Sequence, residues 1–168
     1  LGDVRSSLIV VATLLLTPLL TFLVMNRYGI SANLMSLGGL AIAIGIMVDG
    51  SVVVVENTFA KLGERLKSGE SKNRIILEAA TEVGKPVLFG VGIIILVFMP
   101  LLSLEGMEGK MFAPMAITIA IALTISLILS FTLSPVLCSY ILKGGGEDDT
   151  KIVKKMRAPY ERWLHWSL

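Results

Sequence analysis

Asp49 is the only charged residue between Gly29 and Val55. An ionised carboxylate deep in hydrocarbon costs about 2.5–3.5 kcal/mol on insertion scales, so an acid in such a run is kept for ion or proton handling. Its chemistry would be to take up and release a proton, or to neutralise a nearby cation. Steps of three and four residues carry one helical face through Met35, Gly38, Ile42, Gly45, Asp49, Val52 and Glu56. Gly38 and Gly45 on that stripe, with Gly39 and Gly50 beside it, would let another helix approach closely. Asp49 is therefore expected to point into a packed interior. The bland alternative holds it neutral through hydrogen bonds to neighbouring hydroxyls. Glu56 lies two turns further on, roughly 10 Å by helical rise. That position reads as a solvated or capping acid near the membrane interface, with an accessory relay as its second reading.

No Lys, Arg or His falls inside the apolar runs, so a cationic partner for Asp49 must come from elsewhere. Ser126, Ser130 and Ser134 recur every four residues and could pass a proton through ordered water, although such hydroxyls often bond back to their own helix. Met35 and Met47 flank Asp49, and thioethers are soft ligands suited to Cu(I) or Ag(I). Methionine also fills core gaps, and twelve residues separate these two by about 120° around the helix. Metal ligation and packing stay open for both.

These residues need elements to hold them. The 168-residue chain is 54% hydrophobic and 17% charged. Ser6–Asn26, Pro86–Leu104 and Met111–Leu142 carry no charge, and Tyr28–Val55 carries only Asp49. About 20 apolar residues span the hydrocarbon core, so four transmembrane helices are expected, over about 6–27, 32–57, 85–104 and 112–142. A loop at about 58–84 joins the second and third. A soluble helical domain would show polar faces that these segments lack. The fold class expected is an all-α membrane protein.

Lys61, Arg65, Lys67, Lys72, Arg74 and Lys85 crowd the 58–84 loop and its edge, and six more basic residues follow the fourth span. By the positive-inside rule these segments and both chain ends are cytoplasmic. Residues 143–150 read as a flexible linker, and 151–168 as an amphipathic interfacial helix whose Trp163 and Trp166 sit at headgroup depth, against membrane lipid, or, because Pro159 interrupts it, as a solvated linker to a further span. The lone Cys138 allows no internal disulfide. No basic run interleaved with aromatics suggests nucleic acid, and no nucleophile–base constellation or phosphate loop suggests an enzyme. No cofactor is implied.

The run Gly39-Leu40-Ala41-Ile42-Ala43-Ile44-Gly45-Ile46-Met47-Val48-Asp49-Gly50, followed by Ser51-Val52-Val53-Val54-Val55-Glu56-Asn57, resembles the fourth transmembrane helix of the resistance-nodulation-division (RND) efflux pumps. The whole chain looks like the third to sixth transmembrane helices of such a pump and the start of the segment leading to the seventh, a piece of a longer protein. Drug-exporting members usually carry two adjacent acids. Gly50 in the second position, together with Leu104-Glu105-Gly106-Met107-Glu108-Gly109-Lys110-Met111-Phe112, is similar to the heavy-metal branch. The further acid of some divalent-cation pumps is Ala43 here.

The resemblance implies a proton-driven antiporter of the bacterial inner membrane exporting Cu(I)/Ag(I) or Zn(II)/Co(II), with Asp49 as proton carrier beside a lysine from the pump's second half. It also implies a homotrimer, a periplasmic adaptor and an outer-membrane channel. A multidrug exporter of the same family, or a protein-translocation or lipid-transport relative of the same fold, is the alternative.

Overall fold

A computed structural model describes residues 4–142, apart from the side chains of Val48, Asp49 and Lys67. The linker and interfacial helix expected over 143–168 lie outside the described residues. Every described element is helical: α1 (Val4–Arg27), α2 (Leu34–Arg65), a 3-10 turn (Leu66–Ser68), α3 (Lys72–Phe98), a second 3-10 turn (Met99–Ser103) and α4 (Gly106–Ile141). The all-α class is as the charge-free runs predict. Four helices are long and apolar enough to cross a membrane.

The short connections are built from local hydrogen bonds. α1 stops at a Gly29 with φ 67°, where Ile30 N–H reaches back to the Met25 carbonyl (2.9 Å) and Gly29 N–H to Asn26 (3.2 Å). This pair of bonds satisfies the last carbonyls of the helix, and the left-handed residue between them is one that glycine adopts without penalty. α2 opens on Asn33, whose side chain accepts from Ser36 N–H at 2.8 Å, satisfying one of the free amides of the first turn.

The helices outrun the apolar segments. At 1.5 Å per residue the 32 residues of α2 measure roughly 48 Å, well beyond a hydrocarbon core of about 30 Å. The expected 58–84 loop is mostly helix. α2 continues through Thr58 to Arg65, and α3 begins at Lys72, leaving only a tight elbow between. Charge excluded this region from hydrocarbon but did not prevent it from forming helix.

α4 packs against all three other helices, most extensively α2. Two apolar clusters form the core. One unites Ile9, Val55, Leu62, Ile75 and Cys138, one or more from each helix, near the elbow. The other, on the far side of Asp49 along α2, joins Leu40, Ala43 and Met47 to Ala122 of α4.

The buried face of α2 therefore runs through Ser36, Leu40, Ala43, Met47, Ser51, Val55 and Leu62. The expected interior stripe lies beside it: Gly38, Ile42, Gly45 and Glu56 are exposed, and Met35 and Val52 half-buried. An all-round apolar helix has small residues on more than one face, so periodicity alone does not select which one this chain covers.

Gly39 is the glycine that the packing needs. A Cβ there would lie 2.6 Å from the Met115 carbonyl oxygen of α4, whereas Gly38 and Gly45 face open space. In lipid, helix association depends on such close approach. Gly39→Ala should lower the thermal stability of the full-length protein in detergent by about 1–3 kcal/mol, as overpacking does. Gly90→Ala, on an open face of α3, should stay within about 0.5 kcal/mol of wild type. Equal effects of the two would contradict this packing.

Candidate functional site: the midsection of α2

Asp49 sits fifteen residues into α2 by sequence, roughly 22 Å along its axis and so near its middle. The backbone there is continuous helix. Gly50 turns toward the other helices: a Cβ on it would lie 3.6 Å from Cγ1 of Val87 in α3 and 3.9 Å from Oγ of Ser130 in α4. Ser51 Oγ meets Ser130 Oγ at 3.0 Å, and both serines are buried. Either hydroxyl can donate. This pair forms a polar layer between the two apolar clusters, one turn from Met47 and one turn from Val55 along α2.

The serines expected on α4 occupy one buried face. Ser126, Ser130 and Ser134 lie there in register with Ala122 and Cys138. The threonines of the same helix behave differently. Thr118, Thr124 and Thr132 each donate to the carbonyl four residues back, at 2.7, 2.7 and 2.6 Å. Ser134 Oγ is buried with no hydrogen-bond partner among the described residues, as is Ser6 Oγ of α1. A buried hydroxyl without a partner is uncommon in a native interior. Ser130 and Ser134 therefore retain hydrogen-bonding capacity that the threonines use on their own backbone.

Of the two methionines considered as soft ligands, Met47 is buried in the apolar cluster with Leu40, Ala43 and Ala122. Met35 is half-buried at the start of α2, roughly 18 Å of helical rise away. The structure does not bring them together. Glu56 is exposed, two turns beyond Asp49.

Sequence reasoning missed a polar ladder that fixes the far end of α2. Asn57 Nδ2 donates to the Ala79 carbonyl at 2.8 Å and to Glu82 Oε2 at 3.2 Å. Lys61 pairs with the same Glu82. Arg65 makes a two-pronged contact with Glu70, at 2.6 and 3.2 Å, and reaches Glu78 at 2.6 Å. Arg74 reaches the other oxygen of Glu78 at 3.1 Å. Both glutamates precede the uncharged run that starts at Pro86. Hydrogen bonds from Arg65 and then Arg74 hold Glu78 below the usual carboxylate range, and those from Lys61 and Asn57 do the same for Glu82. The signal was present as Asn57, Lys61 and Arg65 at steps of four, opposite Glu78 and Glu82 at the same step. A count of basic residues for orientation passes over that spacing.

The sequence profile of the AcrB/AcrD/AcrF family matches residues 1–168. This chain belongs to that family. Protein HelA of Legionella pneumophila is 43% identical over 150 residues, which cover 86% of this chain and 14% of HelA. The cobalt-zinc-cadmium resistance protein CzcA of Cupriavidus metallidurans is 39% identical over 176 residues, covering all of this chain and 16% of its own length. Cation efflux system protein CusA of Escherichia coli K12 is 35% identical over 171 residues, or 98% of this chain and 16% of CusA. The resemblance to heavy-metal RND pumps is thereby borne out, and the four apolar helices make this family member a multi-pass membrane protein. The chain spans about one-sixth or less of the length of these relatives.

Ser51→Ala and Ser130→Ala should each destabilise the full-length protein by about 0.5–1.5 kcal/mol. The double variant should cost less than the sum, with a coupling near 0.6 kcal/mol, the average for hydrogen bonds between membrane helices. Reversible unfolding in mixed detergent micelles measures this. Strict additivity would mean that the two hydroxyls do not bond.

Proposed function

We propose that this chain is part of a proton-driven exporter of heavy-metal cations in the bacterial inner membrane, with Asp49 as the group that takes up and releases the proton. The observation carrying this reading is the match along nearly the whole chain to relatives named for cation efflux and metal resistance, in a segment whose midsection holds a single acid. Relatives are named for resistance to cobalt, zinc and cadmium, to nickel and cobalt, and to nickel, cobalt and cadmium. The burial of Met47 among apolar side chains also favours a packing role for it, so divalent ions precede Cu(I) and Ag(I) as candidate cargo.

In this mechanism Asp49 is ionised while a cation from the rest of the pump stands near it. Protonation removes that attraction and favours a different packing of α2. The open stripe of Gly38, Ile42 and Gly45 leaves room on α2 for a helix from outside the described residues to bring that cation. Ser51 and Ser130 supply hydroxyls within two residues of Asp49 in sequence and on the facing helix. The ladder from Asn57 to Arg65 ties the end of α2 to α3, so a displacement of one helix carries the other with it. The excess of Lys and Arg in 61–85 supports a cytoplasmic elbow and cytoplasmic chain ends. A homotrimer working with a periplasmic adaptor and an outer-membrane channel follows from the same family resemblance.

The test is metal resistance conferred by the full-length pump on a metal-sensitive bacterium. Asp49→Asn should reduce resistance to that of cells without the pump while leaving its amount in the membrane unchanged. Full resistance with Asn at position 49 would remove Asp49 from the proton path.

A further inference from the structure

α3 and α4 separate near the middle of α3 and leave a cleft of about 350 Å³. Leu77, Thr81, Lys85 and Leu88 of α3 form one wall, Phe131 of α4 the other. Gly84 brings the Phe131 ring close: a Cβ there would lie 3.5 Å from Cε1. A second cleft of about 240 Å³ shares Leu77 and continues between the same two helices to Ser139, whose carbonyl accepts from Lys72. The two make one furrow along the outside of the helix pair. In the opposite direction α3 continues as an exposed apolar surface through Phe89, Ile93 and Leu96.

The charge along this furrow is unbalanced. Glu78 and Glu82, the acids nearest in sequence, are engaged by Arg65, Arg74, Lys61 and Asn57 of the ladder. Lys85, exposed at the lip of the cleft, has no acidic partner among the described residues. It is also the last charge before the uncharged run from Pro86 to Leu104 and stands two residues from the Val87 that packs at Gly50, so its ammonium meets headgroups by extending its stem toward the elbow. A ligand that satisfies both features has an anionic head and an apolar tail.

We infer that the α3–α4 cleft binds an anionic phospholipid, its phosphate against Lys85 and an acyl chain over Leu88 and Phe131 and along the exposed face of α3. A lysine at the membrane surface attracts anionic lipid, and its stem covers apolar surface while the head stays polar. An apolar peptide would leave Lys85 unmatched, and inorganic phosphate would leave the apolar walls exposed. The inference rests on the chain being a membrane protein and holds whichever substrate the pump carries.

The experiment uses the full-length pump, extracted in detergent, stripped of lipid and titrated with phosphatidylglycerol or phosphatidylcholine, with bound lipid counted by native mass spectrometry. Wild type should retain phosphatidylglycerol in preference to phosphatidylcholine. Lys85→Gln should weaken the tightest phosphatidylglycerol binding about fivefold, the factor for one surface cation, with phosphatidylcholine unchanged. Lys85→Arg should retain wild-type binding, and Lys110→Gln, a lysine outside the cleft, should have no effect. Equal retention of the two lipids by wild type, or unchanged phosphatidylglycerol binding by Lys85→Gln, would overturn the inference, as would displacement of the lipid by inorganic phosphate alone.

Discussion

The close contact between α2 and α4 governs the rest of this architecture. Two apolar helices in lipid gain nothing from hydrophobicity by touching, because the acyl chains they displace are equally apolar. Association then depends on how near the backbones can come and on the hydrogen bonds that cross between them. Gly39 against the Met115 carbonyl supplies the first, and Ser51 with Ser130 supplies the second. With those two points fixed along α2, the rotation of the helix is fixed. Ala43 and Met47 turn inward, while Gly38 and Gly45 turn outward.

That rotation matters for Asp49. Its helix offers a buried face with hydroxyls to α4 and an open glycine-lined face to whatever lies beyond this chain. The buried face of α4 from Ala122 to Cys138 brings hydroxyls and no cation. At the elbow the arrangement changes from apolar to ionic. The Arg65, Glu70 and Glu78 contacts, with Asn57 and Lys61 on Glu82, hold α2 and α3 together where both helices have left the uncharged runs. Exposed ion pairs of this kind contribute little individually, but their repetition along two facing helices sets the register of the pair.

Much of this could be read from the chain. Four runs of 19 to 32 residues, charge-free except for Asp49, announced the four helices, and the four-residue repeat of Ser126, Ser130 and Ser134 announced a common face that is indeed buried. The rotation of α2 could not be read, because residues small enough for close packing occur on adjacent faces and only the position of α4 decides between Gly38 and Gly39. The elbow was hidden for a different reason. Charges in 58–84 mark a segment as outside hydrocarbon, but they are equally compatible with loop and helix until Asn57, Lys61 and Arg65 are seen to face Glu78 and Glu82. Ser51 escaped notice because a single hydroxyl in an apolar run has no pattern until its partner is known.

In the function proposed above, one acid couples proton flow to metal movement. Metal-dependent proton release from everted vesicles holding the full-length pump tests it most directly, comparing wild type with Asp49→Asn on Zn(II), Co(II), Ni(II), Cu(I), Ag(I) and a hydrophobic dye. Proton release is expected with at least one metal, absent with dye and lost in the variant. Release driven by dye alone, or metal-driven release that persists with Asn at position 49, would contradict it.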